Sequence, residues 1–402
     1  MAEQSNTFCP LPFIHSHASV NGHWKPCCNS THHDITDNYF ETETSHIDWF
    51  TSQPMNKLRS DMLSGVQNSM CDICWKSESI SGKSIRKRYI EKFKDIVDVN
   101  NPQIRYLDLK LSNECNLSCR MCDYTNSNKI LNDVKQIEEQ DLHLPENWKR
   151  SPKHENYMNG KGIKTAPKHI LDEVESLLPN IKILKLTGGE PTVAPEVLKL
   201  FDICIDKGHA KNIQLNITTN ATKFTEKFLE KIKSFDKVTL NISCDGYGKV
   251  YDYIRYPFNW QKFVERVDNV VKAEVAYSIT TVPQMYNIEN IYKLQEWNST
   301  VGNDTIFLNT FLQPENNYNS LKFVPINILE YALTNISTDK NNTVLIDYIK
   351  SLIKKNYQPT DIEYTEIVKS VSSIDKVRNQ NYRDYLEPMT TEWLEGLFKK
   401  YA

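Results

Sequence analysis

No stretch of the 402 residues approaches the run of about 18 apolar residues that a membrane span needs, so none is expected. The opening Met-Ala-Glu-Gln-Ser-Asn lacks the basic and apolar regions of a secretory signal, which makes the cytoplasm the expected location. No sign of charge dominates either. The 48 Lys and Arg against 51 Asp and Glu leave a net charge of -3, too little to argue for nucleic acid or an anionic membrane as partner. A hydrophobic fraction of 39% and a charged fraction of 25% are ordinary for a globular chain, and the length suggests two or three domains. What stands out is cysteine. Ten in a chain without a secretory signal argue for metal or redox chemistry rather than disulfides.

Three of the ten form Cys115-Asn-Leu-Ser-Cys119-Arg-Met-Cys122, a C-x3-C-x2-C run just after the strand-like 104–112. Thiolates this close can ligate three irons of one cubane cluster. No fourth local cysteine follows, so one iron would be left open for chemistry. The competing reading is a zinc knuckle that recruits a distant fourth ligand, and spacing alone leaves both open. Further along, the strand-like 181–187 ends in Gly188-Gly189-Glu190-Pro191. Two glycines let backbone approach a ligand closely, and a carboxylate can accept from an ammonium. Alone, such a sequence is a common strand-to-helix turn.

Together the two motifs resemble the radical S-adenosylmethionine (radical SAM) superfamily over roughly residues 103–312. The resemblance implies a [4Fe-4S] cluster on Cys115, Cys119 and Cys122, whose open iron binds SAM through its amino and carboxylate groups. Reductive cleavage then yields methionine and a 5′-deoxyadenosyl radical that abstracts substrate hydrogen. Gly188, Gly189 and Glu190, with Pro191 closing the motif, would hold the methionine amino group. A reductant such as flavodoxin or ferredoxin is implied as partner.

The pattern from 103 is strand then helix, repeated: strands at 104–111, 181–187, 212–219, 237–244, 274–282 and 304–311, helices at 167–178, 195–207, 223–234, 260–272 and 288–299. Such units predict parallel strands with right-handed crossovers. Six are too few for a closed eight-stranded barrel, so the expected class is α/β, a partial (β/α)6 barrel with its site at the C-terminal strand ends. Thr218, Asn220, Ser243 and Asp245 lie at such ends and match positions that hold SAM in the family, although the same residue types cap helices. Arg255 resembles an arginine of auxiliary-cluster members and could pair with the SAM carboxylate or a substrate anion. The residue before the third cluster cysteine, usually aromatic and near adenine, is Met121, whose thioether can still pack on a ring.

Residues 1–78 read as a separate cysteine-rich module. Paired prolines and a Gly22 turn predict a short hairpin that brings Cys9 near Cys27, with Cys71-x2-Cys74 following a helix-compatible 49–63. Base rates favour zinc for four such cysteines. The resemblance extends here as well. Cys9, Cys27, Cys71 and Cys74 look like a twitch (short SPASM-type) module, implying one auxiliary [4Fe-4S] cluster, placed before the barrel rather than after it. Cys28 is an alternative to Cys27. His15, His17, His23, His32 and His33 could ligate zinc, but a turn-rich surface segment accounts for them equally. Residues 79–102 form a linker with a basic amphipathic helix whose charges read as a solvated face. Residues 132–165 read as an insertion without sustained period, and 313–402 as a helical extension with a polar stretch, 375–388.

The auxiliary cluster points to a two-electron oxidation or crosslink of a small molecule or a peptide. A peptide or protein side-chain maturase is the main alternative, and a non-enzymatic iron–sulfur or zinc protein the other. Residues 1–100 hold cysteines where many peptide maturases carry a winged-helix module. Cys204 reads as a core residue. Cys244 reads as core or as a hydrogen donor beside the SAM pocket.

Overall fold

In the computed structural model, the described residues are 5–19, 24–30, 45–149, 165, 166, 168–303, 306–308, 310–312, 317–339 and 342–402. Gly22, His23, His32, His33 and most of the expected insertion (150–164) lie outside them. A single eight-stranded sheet organises the chain, in the order β2-β1-β3-β4-β5-β6-β7-β8. The strands are β1 His15–Ala18, β2 Trp24–Lys25, β3 Tyr106–Lys110, β4 Ile183–Thr187, β5 Gln214–Thr219, β6 Lys237–Ser243, β7 Ala276–Thr280 and β8 Ile306–Phe307.

The six predicted strands are β3 to β8, all parallel to their neighbours. Because they neighbour one another in sequence order, right-handed crossovers place every connecting helix on one face. That face carries Leu107 and Leu109 of β3, Leu184 and Leu186 of β4, Leu215 and Ile217 of β5, and Leu240 and Ile242 of β6, all fully buried. Helix residues Leu200, Phe201, Phe228, Val267 and Val270 pack in the same core. Each such aliphatic side chain contributes about 1.5–3 kcal/mol on burial. The opposite face, the inside of the partial barrel, carries the alternate residues, and these are polar and half-buried: Lys110, Lys185, Thr187, Asn216, Thr218, Asn241 and Ser243. Among the described residues β2 and β8 each pair on one side only, so the barrel is open.

The N-terminal module joins this sheet. The predicted hairpin is present as antiparallel β1 and β2, and β1 lies parallel to β3. Backbone N–H groups of Gln103 and Arg105 donate to the carbonyls of Phe13 and Ile14, locking the alignment. One consequence corrects the surface reading of two histidines. His15 and His17, at 2% and 3% exposure, are buried on the inner face.

Two helices follow Cys71: α1 Asp72–Ser81 and α2 Ile85–Phe93. The expected basic arm, α2, has one working face. Its Arg86 pairs with Glu78 and donates to the Phe8 carbonyl, and its Phe93 packs edge-on against Tyr106 at 5.7 Å. The expected insertion opens with a helix, α3 Ile130–Glu139, whose Ile130, Val134 and Ile137 are buried at helical spacing. With Tyr124, Trp148 and Ile374 these form a second small core.

The C-terminal extension is helical as expected, with one difference. The helix expected near 364–370 is α4 Asp361–Arg378, started by a Thr360–Glu363 capping box and ended by Asn379 in the left-handed region. The extra turns place Asp375 and Arg378 on a rigid helix instead of in a loop. No helix among the described residues is long and apolar enough to cross a membrane.

Candidate active site

The cysteine loop leaves β3 and is fused to the end of β4. Gly189 N–H donates to the Ser112 carbonyl at 2.9 Å, and Glu190 N–H to the Glu114 carbonyl at 2.8 Å. A Cβ on Gly188, whose φ is 127°, would stand 2.7 Å from Ser112 O, and one on Gly189 would stand 2.2 Å from Glu114 O. Both glycines are required because the cysteine loop's own backbone occupies the space. Backbone approach was legible from the sequence, but what approaches is the chain itself.

Glu190 lies differently from the expectation. It is 1% exposed, and its Oε1 accepts from Thr192 N–H, Thr192 OH and Thr219 OH while Oε2 accepts from Asn220 N–H. Burial pushes its carboxyl up, against the pull of these donors. Its observed work is to brace the end of β5. That brace sets Asn220, whose amide donates to Asn116 at 3.0 Å and reaches the Cys115 sulfur at 3.8 Å. Pro191 is buried beside it.

Cys115, Cys119 and Cys122 face one another closely enough for their charges to interact. Burial pushes the Cys115 thiol up to about 12, with Cys119 and Glu190 adding to the rise. Burial also raises Cys122, helped by Asp123 and the other two thiols. Cys119 is raised by burial, while the guanidinium of Arg255 pulls it back. Among the described residues no three His, Cys, Asp or Glu side chains converge on a single-ion site. Three desolvated thiols deprotonate at neutral pH only against a positive metal centre. Leu117 N–H at 3.5 Å and the Asn220 amide supply donors to the Cys115 sulfur, as a thiolate ligand requires. The donor set therefore fits an iron–sulfur cluster.

Most of what holds this loop was invisible in the sequence. Ser118 and Arg120 N–H donate to the carbonyls of Tyr256 and Ile254. Asn319 donates to the Arg120 carbonyl, Asn317 to that of Met121, and Asn147 and Trp148 to that of Cys122. Arg120, fully buried inside the motif, lies 3.5 Å above the Tyr253 ring and is ion-paired with Asp375 of α4. Arg378 of α4 pairs with Asp133 of α3 at 2.7 Å and donates to the Ser118 carbonyl. A charged residue between two metal-ligand cysteines was the one available signal.

The strand-end residues divide. Thr218 and Ser243 are half-buried on the inner face, and Met121 is half-buried at the loop. Asp245 and Arg255 are taken up by each other, 2.7 Å apart, and Asp245 also accepts from Val282 N–H. The anion that Arg255 pairs with is the chain's own. Cys204 and Cys244 are fully buried, and the Cys244 thiol donates to the Gly246 carbonyl.

The other cysteines lie on three segments, and their charges act on one another. Cys9 precedes a single helical turn, Cys27 follows β2, and Cys71 and Cys74 stand at the start of α1. Burial raises Cys9, and the charges of Cys71 and Cys74 raise it further. Cys27 is raised by burial and by Cys28, Cys71, Cys9 and Cys74. Burial and Cys74 push Cys71 up to about 12. Cys28 is exposed. His15 Nδ1–H donates to the Pro26 carbonyl, and His17 faces Asp108, so neither points at these thiols.

With this geometry in view, comparison with known proteins is direct. Residues 109–297, from β3 through the helix Ile291–Thr300, match the model of the Radical SAM superfamily. This segment is a radical SAM domain. An uncharacterized protein of Methanocaldococcus jannaschii is 33% identical over 144 residues, 36% of this chain and 39% of its own. The AdoMet-dependent heme synthase of Methanosarcina barkeri is 29% identical over 137 residues, 34% of this chain and 38% of its own. The mycofactocin maturase MftC of Mycobacterium tuberculosis is 29% identical over 110 residues, 27% of each chain. The chain thus spans well under half the length of the curated relatives it matches. Among solved structures, Streptococcus suis SuiB bound to precursor peptide SuiA has a TM-score of 0.40 at 15% identity, covering 75% of this chain and 60% of that one. The radical SAM domain implies a [4Fe-4S] cluster and SAM as its cofactors, and the cysteine loop is where its motif lies.

Proposed function

We propose that the chain is a radical SAM enzyme carrying out a two-electron oxidation or crosslink on a peptide or small-molecule substrate. The observation that carries this is the fusion of the Cys115-Cys119-Cys122 loop to the Gly188-Gly189 turn through backbone hydrogen bonds. Cys115, Cys119 and Cys122 would hold the cluster, and the inner-face polar residues at the strand ends, Thr218, Asn220 and Ser243, would meet SAM. Bound there, cluster and SAM supply a 5′-deoxyadenosyl radical that abstracts hydrogen from a substrate C–H bond. The chain's own part is to hold the three thiols, brace the loop through Glu190 and Arg120, and keep water out of the site.

Cys9, Cys27, Cys71 and Cys74 would form the second, auxiliary [4Fe-4S] site, in a twitch/SPASM-like module of residues 1–78. The electrostatic influence among four desolvated thiols from three segments supports it. Such a cluster can accept the second electron from a substrate radical, which is why oxidation is the favoured outcome. A maturase among the relatives favours a peptide as substrate. A flavodoxin or ferredoxin in the cytoplasm would supply reducing electrons. Anaerobic reconstitution with counting of iron, sulfide and zinc, followed by an assay of SAM cleavage under reduction, tests the reading. Two clusters' worth of iron and cleavage of SAM are expected. Zinc alone without cleavage would overturn it.

A further inference from the structure

The register of the sheet lines up one rung across five strand pairs. His17 faces Lys25, and the same rung runs on through Asp108, Lys185, Asn216 and Thr239. Residues opposite one another on adjacent strands share a face, so all six belong to the inside of the barrel. Lys110 lies on the same face, two residues beyond Asp108 toward the cysteine loop. This rung is absent from the cofactor site described above.

Its charges do not balance. Asp108 takes the Lys185 ammonium at 2.8 Å and lies 3.4 Å from His17 and 3.9 Å from His15. Burial holds His15 down to about 4 and lowers His17 too, so at neutral pH both are uncharged. For Asp108, burial pushes upward, but Lys185 and His17 outweigh it and keep the carboxyl ionised. Lys110 is different, because its ammonium donates to the neutral Asn126 amide oxygen at 3.0 Å. Among the described residues, Asp108 is the carboxylate paired with Lys185, and Lys110 has no carboxylate within ion-pair distance. Each ammonium has three donors, and each uses one in these bonds. Lys185 keeps 19% of its side chain exposed, and Lys110 is likewise half-buried. A half-buried cation without a counter-charge is costly.

We propose that this rung is a carboxylate subsite, in which Lys110 and Lys185 take a carboxylate of the substrate inside the barrel. The proposal rests on the functional reading above, in that the barrel interior holds the substrate. Lys110 and Lys185 against Asp108 leave positive charge for an anion, and Lys25 on the same rung adds to it. Asp108, fixed beside Lys185, repels a dianion such as a phosphate monoester and keeps the ammonium turned toward the interior. Thr187, opposite Lys110 on β4, and Asn216, opposite Lys185 on β5, add neutral partners. Lys110 lies on β3, the strand that leads to Cys115, and β1 separates it from β2, which leads into Cys27.

The test uses calorimetry on the reconstituted full chain with four probes. N-acetyl-glutamate α-amide carries a side-chain carboxylate, N-acetyl-glutamine a terminal one, N-acetyl-glutaminamide none, and inorganic phosphate is the competing anion. Binding of one or both carboxylates, weakened about ten-fold by Lys110→Met and restored in part by Lys110→Arg, is expected. Which of the two binds tells whether a side chain or a chain terminus is recognised. Equal binding of the uncharged probe, tighter binding of phosphate, an unchanged affinity in Lys110→Met, or no binding up to about 10 mM would each overturn the proposal. Lys110→Met removes no ion pair within the chain, and its unfolding midpoint is measured alongside. Iron is counted on the same samples. A chain that takes up no iron defeats the functional reading, while the isotherms still decide the subsite.

Discussion

The two groups of cysteines solve opposite problems. Cys115, Cys119 and Cys122 come from eight consecutive residues, so proximity is assured by the chain, and the fold's work is to hold the loop's backbone. Asn147, Trp148, Asn317, Asn319 and Arg378 all donate to carbonyls of that loop. Cys9, Cys27 and the Cys71–Cys74 pair come from three segments, and there the fold's work is to bring thiols together. A local motif needs many external pins, whereas a dispersed one is pinned by the sheet and helix that carry it.

Removing each group is the strongest way to break that comparison. Changing Cys115, Cys119 and Cys122 together to Ala should lower iron from about eight to about four per chain and abolish SAM cleavage. Changing Cys9 and Cys71 to Ala should remove the other four or so irons and leave the spectroscopic signature of the first cluster. Within the second group, Cys27→Ser should lose iron while Cys28→Ser retains it, because the charges of Cys9, Cys71 and Cys74 act on Cys27 while Cys28 is exposed. Equal loss from both would place the ligand wrongly.

The pins sharpen the contrast. Asp375→Asn leaves the Arg120 guanidinium buried without its counter-charge, and breaking a buried pair costs about 3–5 kcal/mol. Denaturant unfolding should report that loss, and iron should leave the first group faster than the second in a chelator challenge. Gly189→Ala forces a methyl against Glu114 O, and such overpacking costs about 1–3 kcal/mol. It should lower iron in the first group selectively.

The smallest effect lies in the N-terminal module. His46 packs against Trp24 at 4.0 Å and meets the Ser16 hydroxyl. Burial, with His169 adding, holds it down to about 3. Its folded pKa is below the unfolded one, so its contribution is full above about 6.5 and is lost as pH falls toward the folded value. Linkage predicts a loss of about 2 kcal/mol by pH 5. His46→Gln should flatten the fall of the unfolding midpoint between pH 7 and pH 5.

Much of this protein was legible without coordinates, for identifiable reasons. The strands β3 to β8 announce themselves through alternation, since apolar residues must meet the helices and their neighbours must not. The C-x3-C-x2-C run and the Gly188-Gly189 pair were readable because both act over a few residues. Arg255 and Asp245 show where local reading stops. The fold pairs them with each other, a contact between residues ten apart that no motif announces. Glu190 is similar, since its hydrogen bonds to Thr192, Thr219 and Asn220 appear only in the fold. Patterning alone thus determined the strand-and-helix order, the polar inner face and the cysteine loop, because periodicity and spacing are properties of short segments. Tertiary structure decided that β1 joins the sheet, that Cys27 is half-buried while Cys28 is exposed, and that α4 reaches back to Arg120. Those choices depend on which distant groups share a buried, low-dielectric space, where an unpaired charge or an unmet donor costs most.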